Sequence, residues 1–380
     1  MINKCIAFFL TVILQFVPVW CLKGVSLASD KEFYCMPTIK AAIFSPDSNK
    51  IIFQHGCVLK EDTFSWAVYE ISSKKIYDYE ELNNATPHQL KYDPALSRDG
   101  KQIAFVSGQD NHRNIYVMNA DGTNVHQLTH DYNDQPVGVV EDPVPMKYNE
   151  KPSFSPDGKR IIFVRSAVKR RFPPSNRARY PSCWDVYEIE FNTGKERKLT
   201  NYGFLYLSPP YYLADGKRFI FSADLWASSR AKAESFITRK VSDAYEDKYN
   251  LNYIFIMDGI NNELRPAFEN GRQSDEPRVG GDDIIIFQSK LDYRDRTLWS
   301  GRTPDAGFTP LYATFVYKFG KIHRLVDKPT RYATLSQDGS RVLYAIQGFS
   351  IEIINVDGTR QAMISIPWEQ MKSLNKYYTR

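Results

Sequence analysis

The densest concentration of groups able to grip a charged ligand lies between Arg165 and Trp184. It holds Arg165, Lys169, Arg170, Arg171, Arg177 and Arg179 with Phe172 and Tyr180, and no acid follows until Asp185. Arginine offers a planar fork that binds carboxylates and phosphates through paired hydrogen bonds. The stretch therefore reads either as a contact for an anion or as a solvated loop whose charge serves solubility. His112 and Arg113, in the segment Gln109-Asp110-Asn111-His112-Arg113, add a second polar contact or a simple hydrated loop.

Other constellations carry less. His126 and His130 are four apart, which on a strand puts them on one face but too far apart to share a metal. Glu141-Asp142 and Asp282-Asp283 pair carboxylates, as hydrolases require, yet adjacent acids on loops are ordinarily solvated. Asp121 and Asp357 precede glycine and are explained by turns. The chain contains no Gly-x-Ser-x-Gly elbow, no Gly-rich phosphate loop and no His-Glu-x-x-His pair. On this reading there is no assigned catalytic residue, metal ligand or cofactor.

The elements that must position these groups begin after an apparent leader. Lys4 precedes an almost wholly apolar run from Cys5 to Leu22, and Ser26-Leu27-Ala28 has the small residues of a cleavage site. Residues 1–28 are read as a secretory signal peptide, and Gln15 and Pro18 favour that over an uncleaved anchor. Trp20 before Cys21 spoils a lipoprotein site. Export implies a periplasmic or secreted protein, without a stable membrane span once the leader is removed. Of five cysteines, Cys35, Cys57 and Cys183 then remain. Cys35 and Cys57 flank the first expected hairpin near its open end, so a disulfide between them is the first pairing, with Cys57 to Cys183 the second. The chain of 380 residues is 43% hydrophobic and 14% aromatic, enough for a large core. Its net charge of +5 is too mild to imply nucleic acid.

A repeat decides the architecture. A turn of the Ser-Pro-Asp-Gly-Lys type followed by a β-branched and aromatic run recurs six times. The copies start at Ser45-Pro46-Asp47, Ser97-Arg98-Asp99-Gly100, Ser155-Pro156-Asp157-Gly158, Leu213-Ala214-Asp215-Gly216, the degenerate Gly280-Gly281-Asp282, and Ser336-Gln337-Asp338-Gly339. Most copies have a second half, such as Ile115-Tyr116-Val117-Met118 running into Ala120-Asp121-Gly122. Asp-Gly and Asn-Gly pairs between short alternating runs are hairpin chemistry. Each unit reads as four antiparallel strands, repeating at roughly 50–60 residues, which is the plan of a propeller blade. Ala-, Lys- and Glu-rich residues 225–249 are expected to form an inserted helix.

Phe154-Ser155-Pro156-Asp157-Gly158-Lys159-Arg160-Ile161 and Ile115-Tyr116-Val117-Met118-Asn119-Ala120-Asp121-Gly122 resemble the TolB-like propeller repeat, a WD-like repeat. The resemblance implies an all-β, six-bladed propeller over residues 29–380, with blades starting near residues 38, 92, 152, 209, 276 and 332. The chain departs from TolB, which has an α/β domain before its propeller: only about ten residues separate the expected cleavage site from the first strand, so a bare propeller is expected. Tight Asp-Gly turns should share one face. The long insertions, residues 130–151, 165–184, 224–250 and 289–296, should share the other. A scaffold that elaborates one rim binds with it. The implied function is a monomeric, non-catalytic scaffold near the cell envelope. Its long-loop face would engage a protein or an anionic component such as a lipoprotein, lipopolysaccharide or glycan. The alternative is a glycan- or peptide-processing hydrolase or lyase with its site in the central channel.

Overall fold

The apolar runs that follow each Ser-x-Asp turn form strands because branched and aromatic side chains pack well on a pleated surface, and the turn supplies the reversal. The computed structural model describes residues 37–57, 60–86, 91–109, 112–130, 147–168, 182–204, 206–224, 252–268, 274–290, 312–326, 331–345, 350–366, 370, 371 and 374. All belong to one body spanning residues 35–379. The expected leader, the expected helix over 225–249 and most of the expected long insertions lie outside the described residues.

The first unit comprises β1 (Pro37–Phe44), β2 (Lys50–Cys57), β3 (Lys60–Glu70) and β4 (Lys75–Asp78), followed by the short helix α1 (Glu80–Asn83). The second has β5 (Lys91–Leu96), β6 (Gln102–Gln109), β7 (His112–Asn119) and β8 (His126–Gln127). The third has β9 (Lys147–Phe154), β10 (Arg160–Val168), β11 (Ser182–Glu190) and β12 (Glu196–Lys198). The fourth has β13 (Tyr211–Tyr212), β14 (Arg218–Asp224), β15 (Asn252–Asp258) and β16 (Leu264–Pro266). The fifth has β17 (Ser274–Gly280), β18 (Ile284–Lys290), β19 (Tyr312–Lys318) and β20 (Lys321–Arg324). The last has β21 (Arg331–Leu335), β22 (Arg341–Ala345), β23 (Ser350–Asn355) and β24 (Arg360–Ser365). Within each unit successive strands pair antiparallel in chain order, and one parallel bridge, Arg113 with Tyr148, joins β7 to β9. The architecture is an all-β propeller.

The repeated turn has a repeated chemistry. Ser155 Oγ donates to Asp157 Oδ1 at 2.5 Å and accepts from the Arg160 N–H at 3.0 Å, while Asp157 Oδ1 accepts from the Lys159 N–H at 3.1 Å. Ser45 with Asp47, Ser97 with Asp99 and Ser336 with Asp338 repeat the pattern. The Ser97 hydroxyl and then the Lys101 N–H hold the Asp99 carboxyl below its ordinary value. Gly158, at φ +69°, meets nothing where a Cβ would stand, so the left-handed backbone alone calls for glycine there.

The core lies between units rather than within them. Ile52, Trp66 and Val68 of the first unit pack with Ile103, Phe105 and Met118 of the second. Similar clusters join the second unit to the third, the third to the fourth, the fourth to the fifth and the fifth to the sixth. A further cluster places Phe44, Ile51 and Phe53 of the first unit against Leu343, Ile351 and Ile353 of the sixth. Side chains on both faces of each sheet are thereby removed from water, which is why the second strands read as unbroken apolar runs such as Ile161-Ile162-Phe163-Val164.

Candidate binding site at the channel mouth

The first strand of each unit lines a central cavity of about 290 Å³. Several of these strands are interrupted at the same place. In β5 the register jumps between Tyr92 and Ala95, leaving Asp93 and Pro94 opposite Phe105 alone. In β9 it jumps between Glu150 and Ser153, leaving Lys151 and Pro152 opposite Phe163. In β17 it jumps between Asp275 and Arg278, leaving Glu276 and Pro277 opposite Phe287. These are β-bulges, which re-aim a side chain. Asp93, Lys151 and Glu276 have φ of 47°, 57° and 50°. A left-handed residue without glycine's freedom is costly, and the proline that follows each one narrows the choice further. Such strain amounts to about 1–3 kcal/mol per residue and concentrates at functional sites. The three are equivalent positions, each six residues before the aspartate of its turn, at Asp99, Asp157 and Asp282. In the other units that position is Ala41, Pro209 and Tyr332.

Around these bulges the charges gather. The Arg278 guanidinium lies over the Tyr211 ring at 5.2 Å, and its Nη1 donates to the Pro277 carbonyl at 3.1 Å. Lys151 Nζ donates to the Leu207 carbonyl at 2.6 Å and lies 5.2 Å from the Tyr206 ring. Asp275 is held by the Ser222 hydroxyl and by Asn252 Nδ2 at 2.8 Å. Arg113 is ion-paired to Glu150 and lies over the rings of Tyr92 and Tyr148 at 5.3 and 5.5 Å.

Burial raises the Asp93 carboxyl above its ordinary value, and Lys151 and Arg278 only partly oppose this. Asp93 is accessible from the channel although protein encloses it. Burial also pushes the Tyr206 and Tyr211 hydroxyls up; Asp275 and Glu276 add to this at Tyr206, and Asp93 and Glu276 add to it at Tyr211. Both phenols therefore stay protonated. Burial opposes the charge on Arg278, but Tyr211, Glu276, Tyr206 and Asp93 together outweigh it and raise its value.

The residues singled out from the sequence are distributed differently. Arg165, expected as a partner contact, is buried at 7% exposure in β10. Its Nε donates to Asn149 Oδ1 at 2.6 Å and its two terminal nitrogens to Glu196 at 2.8 and 2.9 Å. It is a packing and pairing residue, because β10 runs on to Val168 and the basic loop starts later than composition implies. Arg113 does reach the rim of the channel cluster through Glu150. His112 belongs to β7, with its side chain outside the described set. Lys169, Arg170, Arg171, Arg177, Arg179 and Cys35 lie outside the described residues. Cys57 is buried and disulfide-bonded. His126 packs edge-on against Phe191, and Asp283 accepts from the Ala214 N–H at 2.7 Å, a structural role. Among the described residues no group of three or more His, Cys, Asp or Glu side chains comes together as a metal site. Asp93, Lys151, Glu276 and Arg278 were missed, although a charged residue before proline at a fixed distance from each turn was there to be seen.

No protein-family model matches the sequence, and no curated protein matches it. Similar solved structures include an oligogalacturonate lyase from Vibrio parahaemolyticus, at 11% identity and TM-score 0.51, covering 86% of this chain and 78% of that one. TolB from Acinetobacter baumannii is 17% identical at TM-score 0.49, with 85% of this chain and 61% of that one covered. The β-propeller domain of the Trilobed protease from Pyrococcus furiosus is 10% identical at TM-score 0.46, with 88% and 84% covered. The likeness to the lyase bears on the fold alone, an all-β propeller.

Proposed function

We propose that the chain is an exported scaffold whose six units close into a six-bladed propeller, and that it binds a protein or anionic cell-envelope component through its long-loop face. The channel mouth supplies the specific contacts. Closure is supported by the apolar cluster between the first and sixth units, which continues the series between neighbours. Asp93, Lys151 and Glu276 lie within first strands, each on the same bulge of its strand. In sequence the basic segment 169–181 falls between the second and third strands of its unit. The observation that carries the reading is the equivalence of three strained, charged, pre-proline positions on first strands, of which Asp93 and Lys151 line the channel. Strain of this kind concentrates at functional sites. The leader expected over residues 1–28 from the sequence supports a periplasmic or secreted location. No helix among the described residues is long and apolar enough to cross a membrane.

A second reading is favoured by one specific feature. Asp93, with its carboxyl raised by burial, shares the enclosed space with Tyr211 and Arg278, so a proton donor and a cation stand near one another. A channel enzyme acting on a glycan or peptide needs such a set. Affinity capture from detergent-solubilised envelope decides between them. The wild type is compared with Arg278→Gln and with Arg170, Arg171 and Arg177 changed to Glu. A partner held by the wild type and lost with Arg278→Gln supports the scaffold. Capture of nothing, with turnover of a glycan or peptide substrate that Asp93→Asn abolishes, supports the enzyme.

A further inference from the structure

The charges at the channel mouth are close enough to feel one another, yet they are not paired. Arg278 can donate five hydrogen bonds, and among the described residues it makes one, to a backbone carbonyl. Neither the Asp93 nor the Glu276 carboxylate forms an ion pair with a described residue, although both raise the Arg278 value through space. Lys151 turns its ammonium to the Leu207 carbonyl rather than to either acid. Asp93, Lys151 and Arg278 thus line one cavity with much of their hydrogen-bonding capacity open to it.

The sign pattern says what that ligand is. A simple anion approaching Arg278 meets the repulsion of Asp93 and Glu276. A simple cation approaching the acids meets Arg278 and Lys151. Only a molecule that brings both signs, a few ångströms apart, gains at both ends. Tyr211 forms the flat wall beneath the guanidinium, and the cavity of about 290 Å³ is of the size for a small molecule or a chain end. We propose that the channel mouth is a receptor for a small zwitterion, its carboxylate on Arg278 and its ammonium on Asp93. This rests on the reading of the channel mouth as the binding site and names the chemistry it selects.

The same chemistry comes from a peptide or from a sugar, so calorimetric titration of the purified protein uses both. The probes are Ala-Ala, N-acetyl-Ala-Ala, Ala-Ala amide and muramic acid, an amino sugar that carries a carboxylate. At least one of the two zwitterions, Ala-Ala or muramic acid, should bind. Blocking either end of the dipeptide should weaken binding about tenfold or more, as expected for a lost hydrogen bond to a charged group. Arg278→Gln should erase the difference between Ala-Ala and its amide, and Asp93→Asn the difference between Ala-Ala and its N-acetyl form. Blocked forms that bind as well as free ones overturn the proposal without any variant. So does the absence of binding by either zwitterion. If that happens while envelope capture still depends on Arg278, the ligand assignment falls and the binding face stands. If capture is indifferent to Arg278 as well, the reading beneath it falls too.

Discussion

His55 lies fully buried in β2, facing Ser65 Oγ at 3.3 Å and tilted against Phe53. Burial lowers its value to about 4, from an ordinary 6.5. The sign follows from proton counting. Between these two values the unfolded chain binds the proton and the folded chain does not, so stability is full above pH 6.5 and falls as pH drops toward 4. The full difference corresponds to about 3 kcal/mol, of which about 2 kcal/mol is lost between pH 7.5 and 5. Other groups titrate in that window, so the assay is differential. Urea unfolding, followed by tryptophan fluorescence, is run across pH on the wild type and on His55→Gln, which keeps a polar side chain of similar size without the titration. The stability gap between the two should shift by about 2 kcal/mol in favour of the variant as pH falls from 7.5 to 5. A gap that stays flat across the window refutes the claim that the folded state holds His55 neutral.

Three further outcomes follow from the packing. Arg165→Met should cost about 2 kcal/mol in urea unfolding, since it strands Glu196 and Asn149 after removing charge-assisted bonds; a third of Glu196 is exposed, which lets water recover part of the loss. Gly280→Ala should destabilise by about 1–3 kcal/mol, because the new Cβ would stand 2.5 Å from the Ser336 carbonyl oxygen and 2.8 Å from Leu335 Cδ2, at the junction of the fifth and sixth units. Non-reducing peptide mapping should find Cys57 linked to Cys35, whose neighbour Pro37 lies opposite Cys57 in the β1–β2 register. A Cys57 to Cys183 peptide contradicts that pairing.

The fold was legible because its information is local and repeated. A serine and an aspartate two residues apart cap the same turn in four units, and the apolar run after each turn is buried on both sides. The fifth unit broke the motif at Gly280-Gly281 for a reason invisible in sequence: its backbone passes too close to Ser336 for a side chain. Arg165 was misplaced because composition changes there while the strand does not; its register partner Asp185 lies on β11 and its Asn149 on β9. The channel site was missed for a different reason. Asp93, Lys151 and Glu276 are dispersed along the chain and chemically unlike, so no local pattern joins them. Only the ring of first strands makes them neighbours. The bulge that presents them leaves a faint trace, an X-Pro pair at a constant distance from each turn, and prolines in turn-rich chains are easily read as punctuation.

The central claim is that partner contact occurs at the channel mouth on the long-loop side. Site-specific photocrosslinking in intact envelopes tests it most directly, with the photoreactive residue placed at Ala41 or Pro209 in the channel ring, and at Thr193 in the tight turn between β11 and β12 on the opposite face. Discrete higher-mass adducts from positions 41 and 209, absent from position 193 and diminished by Arg278→Gln, are the predicted result. Adducts confined to position 193, or from all three positions equally and unaffected by Arg278→Gln, contradict it.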